Sequence, residues 1–455
     1  MDAISVKNLS VRLQGNEILE NISFNVPQGS FTLLSGPSGS GKSTILLAVQ
    51  GLLSEEEGAE IQGEILVCGQ NVSLKKDPDI KASHSGFLMQ NVDSQILNQI
   101  CRDEMVFGLE NLGAEPGLMD KRLSHYADAF RINTASPVDT LSGGQKQRLL
   151  IASCLCTGHK VLLLDEPFAN LDAPSVEELL KELFRLLDEG VSILCVEHRL
   201  EIVSQIANKL LWLEKGSLQV FEGREKIRAF ADNKASVLLL PLKCGSGEGK
   251  EILKLSGLNL RRGKKELIPE LDLKLSEGSV TMLTGPNGCG KSSLLRFLCG
   301  LAKFREFKAS EFSYMGRSRL KHSAYRLLRT EAGFVFQNPV HQLFMQSVTE
   351  ELFIRCQDMK KCEEIMELFG IEELKGRHPY SLSMGEKRLV SVAAAAAGGA
   401  GLILLDEPTI GQDYLSLRRI AETLFKLQQK QGTAYLIASH DRQAIELFGG
   451  NELKL

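Results

Sequence analysis

The chain has 455 residues, of which 43% are apolar and 24% are charged, and its formal net charge is −4. Because a single hydrophobic core stops growing at roughly 250–300 residues, this length predicts two domains. The mildly acidic balance excludes an overall electrostatic attraction to nucleic acid. The first residues do not predict a secretory signal, and no apolar run approaches the roughly 20 residues that cross a bilayer. We therefore expect a soluble chain that reaches a membrane only through a partner.

The first half predicts strands and helices around four motifs. An apolar strand at 30–35 leads into the glycine-rich loop GPSGSGKST at 36–44, and a helical region separates this loop from LSGGQKQR at 141–148. A buried strand then ends in Asp165 and Glu166, and a later strand ends at His198. Strands that alternate with loops and helices in this way are typical of a mainly parallel α/β sheet.

The second half repeats these motifs in the same order. GPNGCGKSS at 285–293, LSMGEKRL at 382–389, ILLDEP at 403–408 and ASHD at 438–441 follow their counterparts by 241 to 249 residues. Four unlike motifs at nearly one offset predict a duplicated domain. We expect the first domain at 1–235, a glycine-rich linker at 236–250 and the second domain at 251–455.

The motifs carry the residue types that phosphate chemistry needs. The pattern G-x-x-x-x-G-K-[ST] predicts a cradle of backbone N–H groups at a helix N-terminus, with a lysine that reaches the β- and γ-phosphates. In the two loops these residues are Gly36, Pro37, Ser38, Gly39, Ser40, Gly41, Lys42, Ser43 and Thr44, and Gly285, Pro286, Asn287, Gly288, Cys289, Gly290, Lys291, Ser292 and Ser293.

The acidic pairs and histidines complete each expected site. Mg²⁺ is expected on Ser43 and Asp165 in the first half and on Ser292 and Asp406 in the second half. The next residue in each pair is expected to polarise the attacking water, and a histidine is expected to contact that water or the γ-phosphate. The expected catalytic residues are Glu166, Glu407, His198 and His440. Taken singly, an Asp-Glu pair could be a helix cap and a histidine could be structural.

The LSGGQ at 141–145 resembles the signature of ABC ATPases, and the other motifs match that family across nearly the whole chain. The resemblance implies two P-loop NTPase domains in tandem, each with a mainly parallel sheet, an antiparallel β subdomain and a helical subdomain. It implies ATP and Mg²⁺ as cofactors, with Gln90 and Gln337 contacting nucleotide and metal. It also implies intramolecular head-to-tail pairing, in which one phosphate loop faces the other domain's signature. The signature residues are Ser142, Gly143 and Gly144, and Ser383 and Gly385.

The two expected sites differ in their signatures, because LSGGQ becomes LSMGE in the second half. Met384 replaces a glycine, which can adopt any backbone angle and approach phosphate closely, and Glu386 adds negative charge near the phosphates. Lys387 and Arg388 offset that charge. We predict that the site built on Lys291, which would receive the intact signature, hydrolyses ATP faster. The alternative is that both sites hydrolyse ATP similarly.

The glutamine loops resemble those of energy-coupling-factor and cobalt-type importers. They read FLMQNVDSQILNQICRDEMVFGLENLG around Gln90 and FVFQNPVHQLFMQSVTEELF around Gln337, and GQD at 411–413 and VEHRLE at 196–201 also fit that group. The resemblance implies a peripheral ATPase on the cytoplasmic face of the membrane. Its partners would be a transmembrane coupling protein and a small substrate-binding membrane subunit. A sugar-importer ATPase and a ribosome-associated ABC protein are the alternatives.

Four further expectations concern particular residues. Gln95, Ile96 and Leu97, and Gln342, Leu343 and Phe344, would line a groove for a partner helix, or would simply pack inside the helical subdomain. No aromatic residue is placed to stack on adenine, since Leu13 and Leu260 are the nearest equivalents. The ten cysteines form no CxxC pair, which predicts reduced, packed thiols. Cys289, in the second phosphate loop, would be sensitive to alkylation, or would be a passive small residue.

Overall fold

The computed structural model describes two compact units, Met1–Ala235 and Ser236–Leu455. The described residues are 2–53, 58–72, 85–169, 171–238, 242, 249–262, 265–301, 307–318, 331–409 and 413–455. Of the expected linker, residues 239–241 and 243–248 lie outside this part of the chain. Leu242 lies within it, and its N–H donates a hydrogen bond to the carbonyl of Leu447 in the second unit.

The described residues of the first unit form ten strands in two sheets. A four-stranded antiparallel sheet has the order β2-β1-β4-β5, and a six-stranded sheet has the order β10-β9-β3-β8-β7-β6. In the larger sheet β10 alone pairs antiparallel, with β9. Strands β1 to β10 are Asp2–Leu13, Asn16–Pro27, Phe31–Ser35, Ala59–Val67, Gln70–Asn71, Gly86–Leu88, Val161–Asp165, Ser192–Val196, Lys209–Glu214 and Ser217–Glu222.

The helices of the first unit pack on the larger sheet or form a separate helical region. Helices α1 to α8 are Lys42–Gln50, Val92–Gln95, Cys101–Asn111, Pro116–Ala129, Gly143–Thr157, Ala173–Asp188, Leu200–Val203 and Arg224–Leu238. Helix α6 shows why such segments are helical, because its buried residues Leu179, Leu180, Leu183 and Leu186 lie on one face at helical spacing. Burying each of these leucines contributes about 1.5–3 kcal/mol.

The second unit repeats this plan over its described residues. Its five-stranded sheet is parallel throughout, with the order β19-β20-β21-β15-β22, and two smaller antiparallel sheets have the orders β14-β11-β17-β18 and β13-β12-β16. Strands β11 to β22 are Glu251–Ser256, Asn259–Arg262, Lys265–Ile268, Leu273–Ser276, Val280–Thr284, Phe307–Lys308, Glu311–Tyr314, Arg317–Ser318, Ala332–Val335, Leu402–Asp406, Ala434–Ala438 and Asn451–Lys454. Helices α9 to α14 are Lys291–Leu298, Val348–Cys356, Met359–Phe369, Met384–Ala397, Tyr414–Gln431 and Arg442–Phe448.

Six short strands position the candidate sites. Every residue of β3, β7 and β8, and of β15, β20 and β21, is buried. Their mostly apolar sequences suit parallel strands that are covered on both faces. Since parallel strands end at the same edge of a sheet, the polar residues that follow them meet there.

The predicted fold class is confirmed. Each domain has a mainly parallel sheet, an antiparallel β subdomain and a helical region, as expected for tandem P-loop NTPase domains. Within the described residues, no helix combines the length and apolar character needed to cross a bilayer.

Candidate nucleotide-binding sites

The first phosphate loop joins β3 to α1 and depends on two glycines. A Cβ on Gly36 would lie 2.0 Å from the carbonyl oxygen of Leu213, so only glycine fits there. Gly41 is the N-cap of α1 and has a φ of 98°, in the left-handed region that favours glycine. The ammonium of the buried Lys42 lies across the loop, donating to the carbonyls of Gly36 at 3.0 Å and Pro37 at 2.7 Å.

The second phosphate loop has the same geometry between β15 and α9. Lys291 Nζ donates to the carbonyls of Gly285 at 2.7 Å and Pro286 at 3.1 Å. A Cβ on Gly285 would lie 2.8 Å from the carbonyl oxygen of Leu455 and 2.9 Å from Cys289 Sγ. Cys289 is half-buried within this loop. The structure therefore brings each predicted lysine into its loop.

In the first domain the acidic pair meets two other predicted residues. Glu166 follows β7 with a φ of 49°, and its N–H donates to the carbonyl of Val196 at 2.9 Å. This turn presents the carboxylate to its neighbours. His198 Nε2 lies 3.1 Å from Glu166 Oε1, and Gln90 Nε2 donates to Glu166 Oε2 at 2.8 Å. Three residues that are far apart in sequence thus form one cluster.

In the second domain the acidic pair meets the histidine but not the glutamine. Glu407 has a φ of 46°, and its Oε1 lies 2.8 Å from His440 Nδ1 and 4.0 Å from Lys291 Nζ. Gln337 is exposed, and among the described residues no hydrogen bond joins it to Glu407. The two glutamates therefore have different partners, although the sequence motifs around them are alike.

The two aspartates have raised pKa values. Burial, followed by the charge of Glu166, raises the pKa of Asp165 to about 6, and a hydrogen bond with Ser43 lowers it in part. Burial also raises the pKa of Asp406, against the lowering effect of a 2.9 Å hydrogen bond from Ser292 Oγ. Burial penalises the charged form of each carboxyl group, and a bound cation would remove that penalty.

Glu166 shows the opposite shift. Burial raises its pKa. Hydrogen bonds from His198 and Gln90 and the charges of His198 and Lys42 lower the pKa by more than burial raises it, so that it lies below its ordinary value. The buried carboxylate therefore stays ionised at neutral pH. An ionised carboxylate beside an imidazole can accept a proton from water.

The residues present fit ATP and Mg²⁺. Asp165 Oδ1 is buried without a hydrogen-bond partner, which leaves an oxygen lone pair for a hard cation. No group of three or more His, Cys, Asp or Glu side chains within the described ranges could enclose a metal ion. Magnesium sites commonly combine one or two protein oxygens with phosphate oxygens and water.

The signature serines begin α5 and α12, and both close a capping box. Ser142 pairs with Gln145, whose side chain accepts from the Ser142 N–H at 2.8 Å. Ser383 pairs with Glu386, whose Oε2 accepts at 2.8 Å from both the N–H and the hydroxyl of Ser383. The Ser383 hydroxyl proton therefore already has an acceptor within its own helix, which leaves it less available to a phosphate.

Backbone freedom, one of the two reasons expected for the effect of Met384, does not hold, whereas close approach to a phosphate stays a prediction. Gly143, its counterpart, is the first residue of α5, does not have a positive φ, and a Cβ there would meet nothing within 4 Å. Backbone freedom is thus not needed at this position. The difference lies in the exposed side chain of Met384 itself.

The glutamine loops continue differently in the two domains. Gln95 Nε2 donates to the carbonyl of Phe87, at the base of its own loop, at 2.6 Å. The corresponding Gln342 donates to the carbonyl of Ser391 in α12 at 3.2 Å. Gln342 and Leu343 are buried, so the expectation that these two line a groove is wrong.

Other residues of the expected groove are open to solvent. Leu97 is 68% exposed and Phe344 is 62% exposed, whereas Gln95 and Ile96 are half-buried. Backbone N–H groups beside each exposed residue donate to a glutamate: Leu97 donates to Glu104 Oε2 at 3.1 Å, and Phe344 donates to Glu351 Oε1. A buried carboxylate in each domain thus fixes the backbone at an exposed apolar residue.

Sequence reasoning missed the contacts of three charged residues near the sites, of which Glu197 and Arg388 are buried and Arg199 is half-buried. Glu197 accepts hydrogen bonds from the N–H groups of His198 at 2.9 Å and Arg199 at 3.1 Å, and burial raises its pKa. Arg199 Nη2 donates to the carbonyl of Phe168. Arg388, in α12, is the third. A comparison of the two halves of the sequence could have identified these residues, because each differs in type from its counterpart in the other half.

The expected GQD segment is only partly described, since residues 411 and 412 lie outside the described ranges. Asp413 caps α13 by accepting from the Ser416 N–H at 2.7 Å. Asp172 caps α6 in the same way, accepting from the Ser175 N–H at 3.1 Å. Both aspartates therefore also have a structural role.

Comparison with known proteins extends over both domains. The family model described as ABC transporter matches residues 19–169 and 268–410. A protein of Bacillus subtilis (strain 168), "Putative HMP/thiamine import ATP-binding protein YkoD", is 30% identical over 498 residues, covering 100% of this chain and 90% of that protein. A Treponema denticola protein, "Putative ABC transporter ATP-binding protein", is 28% identical over 464 residues, covering 97% of this chain and 93% of its own length.

A solved structure also matches nearly the whole chain. "Model of ribosome-bound archaeal Pelota and ABCE1" gives a TM-score of 0.70 at 19% identity, covering 98% of this chain and 76% of that chain. At this identity the likeness shows the fold alone. The family match covers both phosphate loops and both acidic pairs described above. The chain therefore belongs to the ABC transporter family, as a tandem ATPase with two ATP-binding domains.

Proposed function

We propose that this chain is the fused ATPase pair of an energy-coupling-factor type importer. In this proposal it lies on the cytoplasmic face of the membrane. It drives a transmembrane coupling protein that works with a small substrate-binding membrane subunit, and the cargo is a vitamin or a metal ion. The relative named for HMP/thiamine import, aligned over the full chain, supports uptake of a small cofactor precursor.

One observation carries the partner assignment. Leu97 and Phe344 follow the two glutamine loops and are 68% and 62% exposed, each beside a buried glutamate that fixes the backbone. Large apolar side chains held in solvent at equivalent places suit a partner helix with an apolar face. Because the segment begins at the glutamine, it would relay the nucleotide state to that helix.

Within each proposed site, ATP with Mg²⁺ supplies the phosphoryl group that is transferred to water. Lys42 and Lys291 would hold the phosphates in their loops. The aspartates and loop serines would provide oxygen ligands for Mg²⁺. Glu166 and Glu407 orient the attacking water and accept its proton. His198 and His440 fix the glutamates, at 3.1 Å and 2.8 Å.

We further propose that the domains pair head to tail, so that each phosphate loop receives the other domain's signature. Such a pairing would be intramolecular and would benefit from high effective concentration. The site built on Lys291 would then receive Ser142 with its unchanged LSGGQ. The site built on Lys42 would receive Ser383, whose hydroxyl donates to Glu386. This difference supports faster hydrolysis at the Lys291 site.

Affinity purification from membranes tests the proposal. The full chain would be tagged, extracted in mild detergent with its partners, and compared with a variant carrying Leu97→Ser and Phe344→Ser. We expect a polytopic coupling subunit and a small membrane protein to accompany the wild-type chain, and much less of both with the variant. Ribosomes or sugar-permease subunits in their place would overturn the assignment.

A further inference from the structure

A buried arginine joins two functional segments of the second domain. Arg388 lies one turn into α12, just after the signature, and is 2% exposed. Its Nη1 donates to the carbonyl of Phe336 at 2.7 Å and its Nη2 donates to the carbonyl of Gln337 at 2.5 Å. One rigid guanidinium therefore binds two successive carbonyls at the start of the glutamine loop.

A second contact ties the same loop to the same helix. Gln342 Oε1 accepts from the Phe336 N–H at 3.3 Å, while its Nε2 donates to the Ser391 carbonyl at 3.2 Å. Ser391 lies one turn beyond Arg388 in α12. Both ends of the segment 336–342 are thus fixed to α12 by buried side chains.

The first domain attaches its loop to α5 differently, through a 2.6 Å contact between Lys146 Nζ and Asp93 Oδ1 rather than through a guanidinium on the loop backbone. Gln147 stands where Arg388 stands in the second domain; it is 3% exposed, and its Oε1 has no hydrogen-bond partner. Gln95, the counterpart of Gln342, bonds to Phe87 and Met89 within its own loop. There Gln90 contacts Glu166, whereas Gln337 in the second domain has no hydrogen bond to Glu407.

A buried guanidinium is costly unless its donors are paired, so its presence here needs a reason. Burial lowers the pKa of Arg388 to about 10, opposed by the charges of Asp406 and Glu407, and the side chain stays charged at neutral pH. Its Nε has no hydrogen-bond partner among the described residues. The guanidinium charge is therefore stabilised by its two hydrogen bonds to carbonyls of the glutamine loop.

We propose that Arg388 is a positioning residue that fixes the glutamine loop of the second domain to its signature helix α12. Movement of α12 is then transmitted directly to the backbone of Gln337. In the first domain α5 reaches the loop through the side-chain pair of Lys146 and Asp93, and Gln90 itself donates to Glu166. The proposal rests on the proposed ATPase role of the Lys291 site and adds an asymmetric coupling to it.

The test uses the full chain with Glu166→Gln, so that turnover reports the Lys291 site. Arg388→Gln introduces the residue that the first domain carries at this position, which favours correct folding. We expect kcat to fall about tenfold with little change in KM for ATP, as is typical for a residue that orients another. Arg418→Gln, which removes a guanidinium from α13, serves as the control and should leave both constants unchanged.

A double-mutant cycle separates positioning from general damage. If Arg388 acts through Gln337, Arg388→Gln should cause no further loss once Gln337→Ala is present. Arg388→Lys keeps the charge but cannot bind both carbonyls in a fork, so it should resemble Arg388→Gln. Additive losses, or wild-type turnover for Arg388→Lys, would overturn the proposal.

Hydrogen exchange gives a readout that does not depend on turnover. In the nucleotide-free protein, backbone amides of residues 336–345 should exchange faster in Arg388→Gln than in the parent, while those of the equivalent first-domain segment stay unchanged. Unchanged exchange at 336–345 contradicts the attachment. If the parent lacks ATPase activity, the proposed role of the Lys291 site fails, yet this measurement still decides whether the attachment exists.

Discussion

The two domains agree closely at their phosphate loops and differ in the segments that surround them. Lys42 and Lys291 bridge their loops through equivalent carbonyls, and Glu166 and Glu407 both follow a buried strand with positive φ. Both loop glutamines are exposed, yet Gln90 donates to Glu166, whereas Gln337 has no hydrogen bond to Glu407 and its carbonyl accepts from Arg388. The comparison teaches that duplicated motifs preserve the chemistry at strand ends while their connections to the helical region diverge.

The largest effects are expected from the loop lysines. Lys291→Ala removes the ammonium that would neutralise the phosphates, and we expect turnover to fall at least about a hundredfold, a loss typical of removing one charge-stabilising donor. Lys42→Ala should lower turnover much less if the sites are unequal. Steady-state ATPase assays compare them, with the exposed Lys181→Ala as a control that should have no effect. Equal losses of turnover in Lys291→Ala and Lys42→Ala would contradict the expected difference between the two sites.

Substituting the two histidines should also lower turnover more in the second domain than in the first, but by a smaller factor than substituting the lysines. His440 Nδ1 and His198 Nε2 contact their glutamates through different ring nitrogens. Removing the orienting ring in His440→Ala should lower kcat about 10- to 100-fold, as for other residues that orient a reacting group. His198→Ala should lower the total ATP turnover of the chain less than His440→Ala does. A larger loss for His198→Ala than for His440→Ala, measured under saturating ATP, would reverse the assignment of the faster site.

The signature difference should give a change of a few fold. Glu386→Gln copies the first domain, removes the carboxylate that accepts from the Ser383 hydroxyl, and keeps the capping box. We expect turnover in a Glu407→Gln background, which reports the Lys42 site, to rise about two- to fivefold, since a charged acceptor binds a hydroxyl more strongly than a neutral one. The reciprocal Gln145→Glu should lower turnover in a Glu166→Gln background. If Glu386→Gln leaves turnover unchanged, the hydroxyl contact does not limit that site.

The N-caps Ser142 and Ser383 should stabilise their helices equally, even though the two signatures are expected to differ in their effect on ATP hydrolysis. Both signature serines accept a backbone N–H three residues on, so Ser142→Ala and Ser383→Ala should each lower local helix stability by about 1 kcal/mol. Hydrogen exchange of α5 and α12 measures this change. A large difference between the two helices would mean that the second signature is also weaker as a structure.

Much of each site was predictable because its constraints are local in sequence. The phosphate loops follow from glycines that alone fit, such as Gly36 against the Leu213 carbonyl, and from a lysine that bonds within its own loop. The acidic pairs follow from buried strands that end together. What the sequence left open depends on tertiary contacts, because the burial of Gln342 and the contacts of Arg388 are set by where α12 packs.

Two errors show the same limit. The interpretation of Met384 relied partly on glycine's backbone freedom, but the helix begins at that position with ordinary helical angles. The groove prediction treated neighbouring apolar residues alike, although Leu343 is buried and Phe344 is exposed. In both cases the local backbone, which a motif does not encode, decided which side chain is available.

The central claim is that the Lys291 site is the faster one, and one comparison tests it most directly. ATP turnover of Glu407→Gln and Glu166→Gln should be measured in the full chain with equal nucleotide loading. We predict that Glu407→Gln loses most of the activity and Glu166→Gln retains most of it. A larger loss in Glu166→Gln would contradict the claim, and equal losses would show that the two domains hydrolyse ATP alike despite their different surroundings.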